Sequence, residues 1–257
     1  MSNISLKSGL IRVTQQAPLL IVTLARPEKL NALTVDMYKD LYTVTRFFDR
    51  EDQFSTMLIN ADGNAFCAGN DINDFLNATP ESRKDGKLSP AMDFVLALAS
   101  TDKTVIAAVQ GNATGIGTTM LLHTDLVIAS EDALLHTAFI QLGLVPEAGS
   151  SLLLPQLVGK QNAARLLIAG DRLTAQEAKE MGLIAYVAPT AELQEAALEL
   201  ANKVANYFPE ALKATKALMK IPHQKLEERI AKESVLFAER MFSEETQALF
   251  KRFVTKK

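Results

Sequence analysis

The chain has 257 residues, 48% of them hydrophobic, and 27 Lys and Arg against 30 Asp and Glu, for a net charge of -3. That much apolar material suffices for a large core, while basic residues spread evenly along the chain argue against a nucleic-acid partner. The single cysteine, Cys67, rules out an internal disulfide, and no Cys/His group has zinc-ligand spacing. The N-terminus lacks a basic region followed by a long apolar run, no apolar stretch is long enough to span a bilayer, and Thr255-Lys256-Lys257 is not a Ser-Lys-Leu-type tail. The expectation is a cytoplasmic protein with no membrane partner.

Along the chain, residues 19–25, 56–61, 104–110 and 125–129 are near-continuous apolar runs of the kind that form buried strands. Thr34 is placed to cap a helix running towards Phe48, and Ser89-Pro90 to start another ending near Ser100. Alternating strands and helices predict an α/β core. From Thr174 onward the chain changes character, and residues 174–181, 191–205, 209–219 and 226–253 read as helices. Two loops stand out. Residues 62–71 follow a strand and are rich in turn formers. Residues 79–88 are polar and charged, and mobility is expected there.

Residues 105–120 read as strand, glycine turn, then helix, with Gly111, Gly115 and Gly117 around the turn. Backbone N–H groups at a helix start lack intrahelical partners and carry partial positive charge, so an anion is accommodated at Ile116. The same glycines also suit a purely structural role, close packing of helix on strand. No nucleotide-binding loop fits. Gly117-Thr118-Thr119 lacks the lysine of a P-loop, Met120 stands where a dinucleotide fingerprint needs its last glycine, and neither Ser150 nor Ser151 is flanked as in a hydrolase elbow.

The segments Leu24-Ala25-Arg26-Pro27-Glu28-Lys29-Leu30-Asn31-Ala32-Leu33, Ala65-Phe66-Cys67-Ala68-Gly69-Asn70-Asp71-Ile72 and the glycine turn followed by Asp125-Leu126-Val127-Ile128-Ala129 resemble the crotonase (enoyl-CoA hydratase/isomerase) family signature in order and spacing. The likeness continues through residues 167–178 and Gly182-Leu183-Ile184. It implies a crotonase fold of repeated β-β-α units, with a core over residues 1–195 and a helical C-terminal region over residues 196–257 that builds a homotrimer or a hexamer of two trimers. It implies an acyl-CoA thioester as substrate, its oxygen held between the N–H groups of Ala68 and Ile116. Residues Ala68, Gly69, Asn70, Asp71 and Ile72 are then expected along the CoA moiety, with Arg26 and Lys29 as further CoA contacts and Gly115 and Phe139 as further substrate or CoA contacts. Cys67 is expected to be a packed thiol, having no evident His partner, and His136 to be structural or part of the pocket wall, the three histidines showing no ligand spacing.

Hydratases of this family use two glutamates, at places held here by Thr119 and Phe139, neither of which has a pKa suited to a general base. A carboxylate stands instead at Glu147, in Leu142-Gly143-Leu144-Val145-Pro146-Glu147-Ala148-Gly149. This resembles the peroxisomal-type Δ3,Δ2-enoyl-CoA isomerases, whose catalytic glutamate occupies this position; without the resemblance, a glutamate after a proline at a helix start reads as a solvated N-terminal residue. One carboxylate is enough to carry a proton from C2 to C4 of a 3-enoyl-CoA through a dienolate held in the oxyanion hole. The expectation is such an isomerase, with no metal and no cofactor beyond the CoA of the substrate. The alternatives are hydration, acyl-CoA hydrolysis, or a noncatalytic acyl-CoA-binding protein of the same fold.

Overall fold

The computed structural model describes residues 4–79, 89–219 and 223–255, so that residues 80–88 of the charged loop and the last two lysines lie outside the described residues. The larger of two sheets opens with an antiparallel pair, β1 (Ile11–Gln16) and β2 (Leu19–Leu24), in which Ile11 faces Leu24. It continues with parallel neighbours β3 (Thr56–Ala61), β4 (Thr104–Val109), β6 (Leu126–Ser130) and β9 (Tyr186–Ala188), in the order β1-β2-β3-β4-β6-β9. The four apolar runs of the sequence are the four interior strands. Helices cover both faces of these strands, so residues of either parity are buried and the runs are continuous. Leu20, Val22 and Leu24 enter the main core, while Leu19 faces a second one with Leu58, Ile106 and Ile128.

The edge strands were not expected. β1 carries only Ile11 and Val13 as apolar residues in Ile-Arg-Val-Thr-Gln-Gln, as suits an edge that meets solvent, and β9 has three residues. A second sheet of three short strands, β5 (Asn112–Thr114), β7 (Leu134–His136) and β8 (Arg172–Thr174), follows the order β5-β7-β8. Successive strands of the larger sheet thus feed short partners in the smaller one, β4 into β5 and β6 into β7.

Helix α1 (Val35–Arg50) begins where the Thr34 side chain accepts the Met37 N–H, and buries Met37, Leu41, Val44 and Phe48, an apolar stripe at helical spacing. It packs against α3 (Pro90–Ser100), capped by Ser89. Between them in the chain comes α2 (Ile72–Asn77), and α4 (Ile116–Thr119) is a single turn after β5. Helix α5 (Ser150–Ala164) was not expected; Pro155 lies inside it and Gly159 breaks it at φ 77°, the punctuation that hides a helix in sequence. Thr174 and Glu177 form a reciprocal capping box on α6 (Ala175–Glu180).

The expected division at residues 195 and 196 is corrected: it falls inside α7 (Leu193–Ala205), which packs Leu193, Ala197 and Ala201 on the second core of the sheet. Helix α8 (Pro209–Met219) has no buried residue. The expected helix over residues 226–253 is two helices, α9 (His223–Met241) and α10 (Glu244–Thr255), because Ser243 accepts the Thr246 N–H and caps a new start. Leu226 and Ile230 of α9 belong to the main core, so this region is no appendage.

Asn31 pins the first crossover. It is fully buried with φ 55°, accepts the Arg26 N–H and donates to the carbonyls of Asp62 and Ala65. Asn31→Ala strands these groups and places alanine in the left-handed region; the expected loss is about 3 kcal/mol, read from the urea midpoint at unchanged m-value.

Candidate active site

The loop at residues 66–71 and the segment at residues 110–117 are joined main chain to main chain. Phe66 N–H donates to Gln110 O at 2.8 Å, Cys67 N–H to Asn112 O at 3.1 Å, and Thr114 N–H to Cys67 O at 2.8 Å. A Cβ on Gly117 would lie 2.6 Å from Cys67 O, and Gly115 has φ 57° and ψ -121°, a conformation for glycine alone. Ile116 is the first residue of α4, and among the described residues no acceptor takes its N–H.

The expected donor Ala68 is corrected by this geometry. Its N–H donates to Leu30 O at 2.9 Å, so it is already engaged. Two residues on, the Asn70 N–H has no acceptor among the described residues, although Gly69 O and Asp71 N–H on either side both pair with Leu33. The Asn70 side chain accepts from the Tyr38 hydroxyl, which anchors the loop to α1. The spacing of the motif alone could not tell these two N–H groups apart.

Asn70 and Glu147 share the lining of a cavity of about 360 Å³ whose apolar wall includes Leu33, Phe75, Met92 and Phe237. Glu147 is only 6% exposed, which removes the solvated reading of this carboxylate. Its carbonyl accepts both the N–H and the hydroxyl of Ser150, and Ala148 and Gly149 follow with φ 59° and 71°. His123 Nε2 lies 2.8 Å from Ala148 O. A carbonyl only accepts, so Nε2 carries the proton. The buried ring has its pKa lowered to about 4, chiefly by desolvation.

The other expected contacts divide. Asp71 caps α2 through the Asn73 N–H and pairs with Arg26 at 2.8 Å. Although burial opposes it, hydrogen bonds from Arg26 and Asn73 hold its carboxyl below the usual range. Arg26 also donates to Ala32 O, so both side chains brace the loops rather than reach outward, whereas Lys29 is exposed. Gly69 adopts φ 100°, Gly115 packs against it, and Ile72 joins the apolar cluster beneath the cavity. Phe139 does not line the cavity; it lies in that cluster with Phe75, Leu144, Phe237 and Phe250. Tyr38, Ser234 and Phe237 line it without having been expected, since nothing in their local sequence distinguishes them from packing residues. Cys67 is fully buried and its thiol is pushed up to about 12 by desolvation, and His136 is tied to Gln141. Among the described residues no group of three or more His, Cys, Asp or Glu side chains is disposed to hold a metal, and no helix is long and apolar enough to cross a membrane.

The fold finds its counterpart in known proteins. The sequence profile of the enoyl-CoA hydratase/isomerase family matches residues 14–257, and the chain belongs to that family. Rat enoyl-CoA delta isomerase 2 is 32% identical over 96% of this chain and 64% of its own length. The 2,3-dehydroadipyl-CoA hydratase of Escherichia coli is 34% identical over 88% of each chain. An enoyl-CoA hydratase/isomerase structure from Pseudoalteromonas atlantica superposes with a TM-score of 0.89 at 34% identity, covering 96% of this chain and 98% of that one. The architecture is therefore the crotonase fold.

Two side chains near the site make measurable statements. Cys67 is expected to resist an aromatic disulfide reagent at pH 8 in the folded protein and to react once urea unfolds it, because a thiol of pKa about 12 is about 0.01% ionised there. His123 takes up a proton in the unfolded chain near pH 6.5 but in the folded protein only near pH 4. Its contribution to stability is present above pH 6.5, is lost as pH falls from 6.5 to 4, and amounts to about 3 kcal/mol. His123→Gln should flatten the urea midpoint against pH over that window.

Proposed function

We propose that the protein is an enoyl-CoA isomerase that moves the double bond of a 3-enoyl-CoA to the 2-position, with Glu147 as the acid/base. The observation that carries this is the burial of Glu147 in the wall of an apolar cavity beside Asn70. The other carboxylate known to line the cavity, Asp74, accepts the Val35 N–H at 2.8 Å and so serves the start of α1.

In this reading the thioester oxygen sits between the N–H groups of Asn70 and Ile116. Glu147 takes a proton from C2, and the electron pair delocalises over the C2–C4 unit onto that oxygen. The same carboxyl returns the proton to C4, leaving the double bond between C2 and C3. No oxidant or second reactant enters the balance. Each preorganised donor is worth about 2.7–4 kcal/mol to such an oxyanion. Leu33, Phe75, Met92 and Phe237 keep water from the dienolate, which disfavours hydration. Hydration would also call for a second acid or base. Thr119 is fully buried with a hydroxyl, and Phe139 is a phenyl ring in the cluster below. The expected assembly, a homotrimer or a hexamer of two trimers, remains part of the proposal and is supported by α8, whose neighbourhood exposes Phe208, Leu218 and Met219.

The test is the rise in ultraviolet absorbance of conjugated thioester when protein meets a 3-enoyl-CoA. The wild type should give the rise, and Glu147→Gln should slow it about 1,000-fold while CoA ester still binds. Loss of absorbance from a 2-enoyl-CoA at a comparable rate would point to hydration instead, and no change with either substrate would leave a binding protein.

A further inference from the structure

Helix α5 starts three residues after Glu147, yet its own N-cap residue, Gly149, supplies no side-chain cap. A carboxylate from a distant element does so. Glu233 of α9 accepts the Gly149 N–H on Oε2 at 2.6 Å, and on Oε1 it accepts the Ser151 N–H at 3.0 Å and the Ser151 hydroxyl at 2.5 Å. Arg229, one turn earlier on α9, donates to the same hydroxyl at 3.1 Å. Glu233 is 5% exposed. Burying a carboxylate is costly unless fixed donors surround it, and here three donors and the positive end of a helix do.

The contact is placed where the backbone is least able to hold itself. Ala148 and Gly149 are successive residues in the left-handed region, which disfavours alanine. A Cβ on Gly149 would come within 2.5 Å of Leu226 Cδ1, so α9 is in close apposition to this reversal. The residue after Glu233, Ser234, lines the cavity, as does Phe237 one turn on. One helix therefore closes the cavity and grips the loop that carries its carboxylate.

We propose that Glu233 is a positioning residue that fixes the reversal after Glu147, so that the carboxylate is aimed at the substrate only while α9 is seated on the loop. This rests on the reading of Glu147 as the acid/base. A reacting group displaced by about 1 Å loses about 100-fold in rate, whereas CoA ester affinity depends on other contacts.

The experiment compares wild type, Glu233→Gln and Ser151→Ala by isomerase kinetics and by amide hydrogen exchange of residues 147–151. Glu233→Gln keeps the shape but turns an amide N–H2 towards one of the donors. It is expected to lower kcat about 10–100-fold with KM changed less than about twofold, and to speed exchange in the segment. Ser151→Ala removes one donor and should show the same split in smaller degree, which carries the test should Glu233→Gln fail to fold. Unchanged exchange, unchanged kcat, or a loss confined to KM overturns the proposal. Absence of isomerisation by the wild type would overturn the proposed function instead, and exchange alone would then decide whether Glu233 holds the loop.

Discussion

Direct backbone contact between the 66–71 loop and the 110–117 segment is the constraint from which the site follows. Three main-chain hydrogen bonds join them, and they close only because Gly117 leaves no Cβ against Cys67 O and Gly69 and Gly115 adopt backbone angles suited to glycine. Among the described residues the contact leaves an N–H without an acceptor on each segment, at Asn70, which lines a largely apolar cavity, and at Ile116. Rigid main-chain donors need no reorganisation when charge develops before them, which is why such a pairing suits enolate chemistry.

The second requirement is a carboxylate brought to that cavity without being solvated. Pro146 and the left-handed pair Ala148 and Gly149 turn the chain sharply around Glu147, and the reversal is braced from two sides, by neutral His123 on Ala148 O and by the Glu233 carboxyl on the N–H groups beyond. Both braces are buried titratable groups. The C-terminal helices thus do more than cover the core: Ser234 and Phe237 complete the wall of the cavity, and Glu233 grips the loop that carries Glu147.

Much of the frame was legible because it obeys local rules. Continuous apolar runs marked the interior strands, since strands buried on both faces need no alternation, and Thr34, Ser89 and Thr174 marked helix starts through the N–H groups they satisfy. What escaped was weak in the same terms. β1 is polar because it is an edge, the strands of the small sheet are three residues long, and α5 contains Pro155 and Gly159. Ser243 was a readable cap, followed by Glu244 and Glu245, yet the apolar periodicity on either side masked the break between α9 and α10.

The sequence by itself determined the family, the α/β class and the glycine positions, because each is written in residue identity and spacing, and it singled out Glu147 as the carboxylate on which the proposed reaction rests. Tertiary structure alone decided which N–H groups are free. Ala68 and Asn70 are two residues apart in one motif, and only the meeting of Ala68 with Leu30 O, across 38 residues of chain, commits one and leaves the other. It likewise turned Arg26 and Asp71 from expected ligand contacts into braces, and brought Glu233 to a loop 84 positions earlier. Hydrogen bonds between distant segments are not encoded in the spacing of either one, and they exist only when packing brings the two together.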